Sequence, residues 1–318
     1  MRTPVLLIAF ARPATTREVF EAIRAAQPQR LYIAVDGPRV GRSDDQRNVR
    51  AVRALVELVD WPCEVKSLFS AHNLGVGYGP PAALDWFFAH EEEGIVLEDD
   101  CIPTPGFFPF CEELLEKFRH DENVAQICGS TFANEHVGDA SYYFTKYADI
   151  WGWASWSRAW RARDMEMARW PSWRDSNGLH SLCGSTRGFV DVWTLVFDNM
   201  RESKTRPTWD YQWMFTCWER GMVSISPRTS LVRNVGFGGD AAHLRHGFVP
   251  TYSAEIEDIE FPLVHPSLRV PEPAREREIA RRRYLIGPLT EAAARVASLP
   301  LLGPSLVSAA RRIKRRIP

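Results

Sequence analysis

The first 130 residues alternate two kinds of hydrophobic pattern. Short, mainly apolar runs occupy residues 5–10, 31–35, 63–69, 94–97 and 124–128. Apolar residues recur at helical spacing in the segments between them, at residues 15–26, 44–59, 81–90 and 107–120. Short continuous apolar runs are typical of strands that are buried on both faces. The alternation of strand and helix therefore predicts an α/β fold with a doubly wound, mostly parallel sheet.

The second half of the chain has a different composition and hydrophobic pattern. Residues 141–246 are rich in Trp, Gly, Asp and Arg and show weak periodicity, which predicts a loop-rich unit covering an edge of the sheet. After about residue 262 the chain becomes rich in Pro and Arg. We therefore divide the chain into a first half at 1–130, a second half at 131–262 and a basic helical tail at 263–318. The arginine run at 281–283 is interpreted as a solvated helix face.

Polar side chains follow four of the predicted strands. They are Arg12, Asp36, Asn73 and the three carboxylates at 98–100, which we call the acidic turn. Ligands of doubly wound sheets bind at the carboxyl ends of the strands, so we expect these side chains to meet at one edge. From the residues alone, the alternatives are a capping salt bridge for Arg12 and a plain turn for Asp36. The glycine-rich stretch after Asn73, which includes Gly75, can bring backbone amides to a phosphate or ribose, although such turns are also common without a ligand.

The acidic turn consists of Glu98, Asp99 and Asp100, and it directly follows an apolar run. Adjacent carboxylates repel one another and resist desolvation, and a hard divalent cation relieves both effects. Mg²⁺ and Mn²⁺ prefer oxygen ligands, commonly one or two carboxylates together with substrate phosphates. The pattern therefore favours a site for a metal and a diphosphate, and the alternative is a solvated acidic turn.

Composition limits the classes of function. The chain has 318 residues, is 45% hydrophobic and 25% charged, and carries a formal net charge of −1. This balance fits a globular protein with a full core and excludes a globally basic nucleic-acid binder, so we expect no nucleic-acid partner. The six cysteines show no CxxC spacing, and the first residues are interpreted as a strand rather than a signal peptide. We therefore expect a cytoplasmic protein.

Several segments resemble the N-acetylglucosaminyltransferase I family, which has the A-type fold of nucleotide-diphospho-sugar transferases. The likeness is clearest at 95–108, where an apolar strand ends in the acidic turn before a Pro-x-Phe helix start. Further matches keep the family's order from about residue 4 to residue 246, and this colinearity is the main support for the resemblance. It implies that residues 1–130 bind a UDP-sugar donor and that residues 131–262 bind the acceptor. It also implies a metal-dependent, inverting glycosyltransferase that acts on a hydroxyl, with a GlcNAc-like sugar among the candidates.

The resemblance implies roles for single residues on the donor side. Arg12 matches an arginine that contacts the nucleotide, and Asp36 matches an aspartate that holds the uracil ring. Asp100 matches the ligand of Mn²⁺ or Mg²⁺. Glu98 and Asp99 then contact the ribose or order the waters of the metal.

Five further residues receive roles in the second half. Asp210 matches the catalytic base of a Trp-Asp-x-Trp motif, and the alternative is a helix N-cap. Acceptor contacts are expected from Trp151, Trp153 and Trp209, although core positions are the alternative and the better interpretation for at least one tryptophan of the first segment. His243 lies in a glycine-rich loop expected to close over the donor, where it can meet the β-phosphate or the metal. A structural role is the alternative for His243.

Two departures and two rival functions accompany the resemblance. Residues 77–79 stand where the family has a nucleotide-contacting histidine, so this role is not transferred to His72, and Ala242 falls near the family's donor-contacting serine. One rival is a sugar-phosphate nucleotidyltransferase, which usually has a basic glycine-rich loop after the first strand, whereas residues 10–14 contain no glycine. The other is a non-catalytic carbohydrate-binding protein built on the tryptophans.

The last residues of the chain are strongly basic. From residue 272 onward there are eleven Lys or Arg against four Glu. Residues 305–317 predict a short amphipathic helix, which fits peripheral contact with an anionic membrane and a lipid-linked acceptor at its cytoplasmic face. A helix docked on the acidic body, a disordered basic end and a soluble glycan acceptor are the alternatives.

Overall fold

The computed structural model describes residues 1–133, 138–203, 206, 208–236, 256–284 and 286. Its strands are β1 (Val5–Ala9), β2 (Arg30–Val35), β3 (Glu64–Phe69), β4 (Glu93–Glu98), β5 (Cys101–Pro103), β6 (Val124–Cys128), β7 (Tyr142–Thr145), β8 (Trp153–Trp156), β9 (Val223–Pro227) and β10 (Val232–Asn234). Its α-helices are α1 (Pro13–Ala26), α2 (Ser43–Arg53), α3 (Gly79–His90), α4 (Phe107–Phe118), α5 (Ser157–Trp160), α6 (Trp170–Asp175), α7 (Arg187–Glu202), α8 (Asp210–Glu219) and α9 (Pro273–Tyr284). Short 3-10 helices span Ala54–Leu58 and Gly178–Ser181.

Eight of the strands form one sheet in the order β3-β2-β1-β4-β8-β6-β9-β7. The four strands of the first half, β3, β2, β1 and β4, pair in parallel as predicted. β8 then pairs antiparallel with both β4 and β6, β6 pairs in parallel with β9, and β7 pairs antiparallel with β9. The fold is therefore α/β with a mixed sheet, in which β7 and β8 run against the other strands.

The second half contains more regular structure than its weak periodicity predicts. β7, β8 and β9 belong to the same sheet as the strands of the first half, and α7 is a helix of 16 residues. β7 and β8 have only four residues each and are buried throughout, so neither shows the alternation that identifies a half-exposed strand. The division near residue 130 consequently does not separate two sheets.

The central strand β1 shows why the sheet carries helices on both faces. All five of its residues are buried, and successive side chains point to opposite faces. Val5 and Leu7 join a hydrophobic cluster with residues of α1, α2 and α4. Leu6 and Ile8 join a second cluster with residues of α3 and α8. A third cluster gathers buried residues of α7, α8 and α9 beyond the end of the sheet.

Helix α9 is part of this third cluster, which corrects the interpretation of the arginine run at 281–283 as a solvated helix face. Ile279 and Ala280 are buried, and the ring of Tyr284 stacks on Tyr147 with centroids 5.2 Å apart. Within the arginine run, the side chain of Arg283 is only 17% exposed. Residues 305–317 lie outside the described residues. No helix in the described ranges is both long and apolar enough to cross a membrane.

A buried carboxyl anchors the start of α9. Glu276 is fully buried, and its Oε2 accepts a hydrogen bond from the backbone N–H of Lys146 at 3.1 Å. Its Oε1 has no hydrogen-bond partner. Burial raises the pKa of Glu276 to about 7, and burial lowers the pKa of the neighbouring Lys146 to about 8.

The raised pKa of Glu276 predicts a loss of stability as the pH rises towards neutrality. Between the unfolded pKa and about 7 the folded protein binds a proton that the unfolded chain releases, so the free energy of unfolding falls by about 1–3 kcal/mol. Glu276→Gln keeps an acceptor for Lys146 and removes the titration. Denaturant unfolding at pH 5 and pH 7.5 measures this, since both values lie below the pKa of Lys146. Between these two pH values, the free energy of unfolding should fall less for this variant than for the wild type. Glu272→Gln, at an exposed position just before α9, should behave as the wild type, and equal falls in all three proteins would contradict the prediction.

Candidate functional site

A cavity of about 290 Å³ lies at the carboxyl ends of β1, β2 and β4. Its lining includes all of the described residues predicted to bind donor or metal: Arg12, Asp36, Asn73, Gly75, Glu98, Asp99 and Asp100. Two larger depressions contain none of them. One lies beside β7, and the other lies at the amino ends of β1, β2 and β4. The strand-end rule therefore brought the predicted donor-site residues together correctly.

Arg12 bridges the two aspartates of the acidic turn. One guanidinium nitrogen lies 2.8 Å from Asp99 Oδ1, and another lies 2.8 Å from Asp100 Oδ2. The backbone N–H of Phe10 donates to Asp99 Oδ2 at 3.0 Å. Both aspartates are nearly inaccessible, with side chains 4% and 12% exposed, so Arg12 provides most of the charge compensation that water would otherwise give.

The acidic turn remains short of positive charge despite this bridge. Burial raises the pKa of Glu98 well above its ordinary value, and the charges of Asp100 and Asp99 add to the effect. Burial also raises the pKa of Asp99 to about 6, although the charge of Arg12 opposes it. Glu98 Oε1 is buried without a hydrogen-bond partner. This arrangement favours the arrival of another cation.

A long-range ribbon holds the outer side of Asp100. β5 pairs antiparallel with β10, which places Asn234 opposite Cys101. The N–H of Val235 then donates to the backbone oxygen of Asp100 at 2.8 Å. Gly236 follows, and a Cβ there would lie 2.1 Å from Asp100 Oδ2, so a larger residue would have to displace the Asp100 carboxylate. No local sequence signal predicts the ribbon, because its two strands are separated by more than a hundred residues.

The loop predicted to close over the donor continues from this point. Residues 237–255, which include His243, lie outside the described residues, so the role of His243 stays a prediction.

Asp36 has a different task from the one that the resemblance implies. Its Oδ1 accepts hydrogen bonds from the backbone N–H groups of Gly37 and Leu74, both at 2.8 Å. Its Oδ2 accepts from the Asn73 side chain and from the N–H of Gly75, both at 2.9 Å. With two donors on each oxygen, the carboxylate has no free acceptor site for a uracil N–H. Asp36 instead fixes the loop that forms one wall of the cavity.

The same contacts change the interpretation of Asn73 and Gly75. The Asn73 amide also donates to Gly37 O at 3.0 Å, so its N–H₂ group is occupied within the protein. The N–H groups of Leu74 and Gly75 point at Asp36, so they do not form a cradle for a phosphate. Gly75 has a φ of +73°, a conformation that the turn requires and that glycine adopts without strain.

Two of the three predicted acceptor tryptophans are core residues. Trp153 is 0% exposed and Trp209 is 1% exposed, and both belong to the second hydrophobic cluster. A buried indole cannot stack on a sugar, so acceptor contact is not assigned to either. Trp151 is partly exposed and remains a candidate. The sequence could not separate these cases, because large aromatic residues suit both a core and a sugar site.

Asp210 is the first residue of α8, and the hydroxyl of Thr208 donates to its Oδ1. Burial is the main cause that raises the pKa of Glu98 and of Asp149, and the charge of Asp210 adds to both effects. Asp210 does not line the cavity, but its charge acts both on the acidic turn and on a second charged cluster, which contains Asp149. The N-cap alternative does not hold, because the helix begins at Asp210 and its cap residue is Trp209.

The second charged cluster contains two residues that the sequence did not identify. The Arg283 Nε lies 3.5 Å from Asp149 Oδ2, and its guanidinium packs over the rings of Trp151 at 4.4 Å and Phe132 at 4.7 Å. Arg283 comes from α9, far along the chain from its partners. From the sequence alone, an arginine in a basic run is expected at the surface, so its burial by α9 could not be predicted.

The residues of the acidic turn fit a metal that is shared with a diphosphate. Within the described parts of the chain, no group of three or more His, Cys, Asp or Glu side chains is arranged to hold a metal ion. Protein-bound Mg²⁺ commonly takes one or two carboxylates and completes its shell with phosphate and water oxygens. Asp100 and the unpartnered Glu98 Oε1 are oxygen donors of the required kind.

Comparisons with known proteins give only distant likenesses. No protein-family model matches the chain, and no curated protein matches it. Among solved structures it is similar to HddC from Yersinia pseudotuberculosis, with 12% identity and a TM-score of 0.26 over 39% of this chain and 57% of that chain. The chain therefore spans little more than half the length of HddC.

Two further solved structures cover more of the chain. UDP-glucose pyrophosphorylase complexed with UDP-glucose has 8% identity and a TM-score of 0.35 over 72% of this chain and 90% of that chain. Mouse xyloside xylosyltransferase 1 in its apo form has 12% identity and a TM-score of 0.30 over 68% and 80%. At such low identities and TM-scores, these likenesses assign neither a family nor an activity to the chain.

The hydrogen bonds of Asp36 predict the effect of removing its carboxylate. Asp36→Ala leaves the N–H groups of Leu74 and Gly75 without their acceptor, so their amide hydrogens should exchange about tenfold faster or more. Hydrogen exchange of a peptide covering residues 71–78 measures this. Asp44→Ala, which removes an exposed carboxylate paired with Arg47, is the matched control and should leave the loop unchanged. Unaltered protection in Asp36→Ala would show that Asp36 does not fix the loop.

Proposed function

We propose that this protein is a metal-dependent, inverting glycosyltransferase that moves a sugar from a UDP-sugar to a hydroxyl of a glycan or lipid-linked acceptor. The observation that carries the proposal is the Arg12-bridged acidic turn inside a cavity at the carboxyl ends of the parallel strands. Carboxylates and a guanidinium at that position are the groups needed to bind a metal and a diphosphate together. The colinear sequence resemblance supports the same activity.

On the donor side, Asp100 and Glu98 are the residues proposed to hold Mn²⁺ or Mg²⁺. Of the two aspartates, Asp100 has the more exposed side chain, and Asp99 is tied to the N–H of Phe10. When bound, the cation supplies a positive charge that offsets the charge developing on the departing diphosphate. Asp99 keeps the turn in place through Phe10 and Arg12.

On the acceptor side, Asp210 is the proposed general base. Its carboxylate takes the proton from the acceptor hydroxyl while the oxygen attacks the anomeric carbon on the face opposite the nucleotide. A single base with one in-line displacement inverts the anomeric centre, the geometry used also by inverting hydrolases. The charge of Asp210 acts on Glu98, and this supports the role because base and donor must meet at the reacting carbon.

The rival functions have less support. A carbohydrate-binding protein built on tryptophans needs exposed indole faces, yet each of the twelve tryptophans, all of them described, is buried or partly buried. A nucleotidyltransferase usually has a basic glycine-rich loop after its first strand, whereas this chain enters α1 through Arg12 and Pro13.

Replacing the base should abolish turnover without loss of donor binding. Asp210→Asn keeps the shape of the side chain and should slow release of UDP from UDP-sugars with Mn²⁺ by about 10²–10⁴-fold. Affinity for UDP should stay within about twofold of the wild type, because no bond to the donor is removed. Asp175→Asn, at an exposed site away from the cavity, serves as the control. Near-normal turnover in Asp210→Asn would remove it as the base.

Removing the proposed metal ligand should uncouple nucleotide binding from the metal. In Asp100→Ala, the increase in UDP affinity on addition of Mn²⁺ should be largely lost, because the cation loses one of its two proposed protein ligands. Calorimetric titration of UDP with and without Mn²⁺ measures the coupling, and Asp44→Ala should retain it. A variant that still gains affinity from Mn²⁺ to the wild-type extent would place the metal elsewhere.

A further inference from the structure

The cavity contains two arginines, and only one of them serves the acidic turn. Arg39 is committed to Asp45 through two hydrogen bonds of 2.6 and 2.8 Å. Arg12 alone, among the cations that line the described cavity, contacts Asp99 and Asp100. The turn is therefore compensated by one guanidinium that occupies the carboxylate oxygens a metal would use.

The carboxylates are held in place, whereas the arginine side chain can move. Asp99 accepts from Phe10 N–H, and Asp100 is held at its backbone by Val235 and at Oδ1 by the thiol of Cys101 at 3.4 Å. The Arg12 side chain is 40% exposed, so rotation of its stem can carry the guanidinium out towards solvent. Its backbone would not need to follow.

The backbone of Arg12 is anchored independently of its side chain. Its carbonyl oxygen accepts from the N–H of Thr16 at 3.0 Å and from the Thr16 hydroxyl at 2.6 Å. Helix α1 begins at the next residue, Pro13, whose ring fixes the entry of the chain into the helix. The guanidinium can therefore change partners while β1 and α1 stay in place.

We propose that Arg12 is the resident counter-cation of the acidic turn and that a divalent metal displaces it, so that metal and diphosphate bind as a coupled pair. This inference rests on the proposed function and adds that the metal replaces the Arg12 guanidinium on the acidic turn. A metal arriving alone must push the guanidinium off Asp100 into water. A metal arriving with a diphosphate gives the guanidinium a new bidentate acceptor, so the same displacement becomes favourable.

This exchange predicts a reciprocal dependence of the two ligands. If the diphosphate increases metal affinity by engaging the released Arg12, the metal must increase diphosphate affinity by the same factor. The coupling should disappear when residue 12 cannot bridge the carboxylates or grip a phosphate. Free metal should then bind more readily, because no resident cation competes for Asp100 Oδ2.

The test is calorimetric titration of Mn²⁺ into the full-length protein, with and without saturating UDP. In the wild type, UDP should raise Mn²⁺ affinity by about tenfold or more. Arg12→Gln should bind Mn²⁺ alone about tenfold tighter than the wild type and gain little from UDP. Arg47→Gln, which removes an exposed arginine outside the cavity, should keep wild-type metal affinity and coupling.

A conservative variant guards against a folding defect. Arg12→Lys keeps the charge but cannot bridge two carboxylates bidentately, so its Mn²⁺ affinity and coupling should fall between those of the wild type and Arg12→Gln. Thermal melting adds a second readout: Arg12→Gln should melt below the wild type without metal and recover with Mn²⁺, because the cation restores compensation of the turn.

The outcomes separate this inference from the proposed function. Equal Mn²⁺ affinity in wild type and Arg12→Gln, with UDP coupling intact in both, would overturn the exchange and leave the metal and UDP site standing. Loss of Mn²⁺ binding in Arg12→Gln would also overturn it, since Arg12 would then support the metal rather than compete with it. Failure of every variant to bind Mn²⁺, even with UDP, would overturn both proposals.

Discussion

The acidic turn is the constraint around which the site is arranged. Glu98, Asp99 and Asp100 end a central strand, so the fold removes them from water and brings their charges together. Such a cluster is unfavourable unless cations compensate it. Arg12, which follows the neighbouring β1, does this, and the ribbon that follows the turn approaches Asp100 through Gly236. A cation that binds the acidic turn must therefore replace Arg12 as the group that compensates the carboxylate charges.

The sequence predicted the first half of the fold well for a physical reason. Parallel strands covered by helices on both faces are apolar throughout, so β1, β2 and β4 appear in the sequence as uninterrupted runs. The second half lacked this signal. β7 and β8 are too short to show a period, and β5 forms only because β10 returns to it from far along the chain. Pairing of that kind is a property of the folded chain rather than of any local segment.

The site was predictable in position but not in the detail of its bonds. The strand-end rule brought Arg12, Asp36 and the acidic turn together, since it depends only on topology. The partners of each side chain depend on how loops fold back. Asp36 was expected to face a ligand, yet the loop beginning at Asn73 turns its amides onto that carboxylate. The sequence also could not predict which tryptophan side chains are exposed, and Trp153, expected to contact the acceptor, is buried.

Asp210 connects the acidic turn electrostatically with residues that depend on the last described helix, α9. On one side its charge acts on Glu98, and on the other it acts on Asp149, which pairs with Arg283. Arg283 comes from α9, whose Ile279 and Glu276 are buried in the third cluster. A chain shortened at residue 273 would therefore lose a buried helix and the arginine of the second charged cluster, besides the basic end. Any study of the basic residues should retain the chain through residue 286, so that a loss of activity reports on the tail and not on the core.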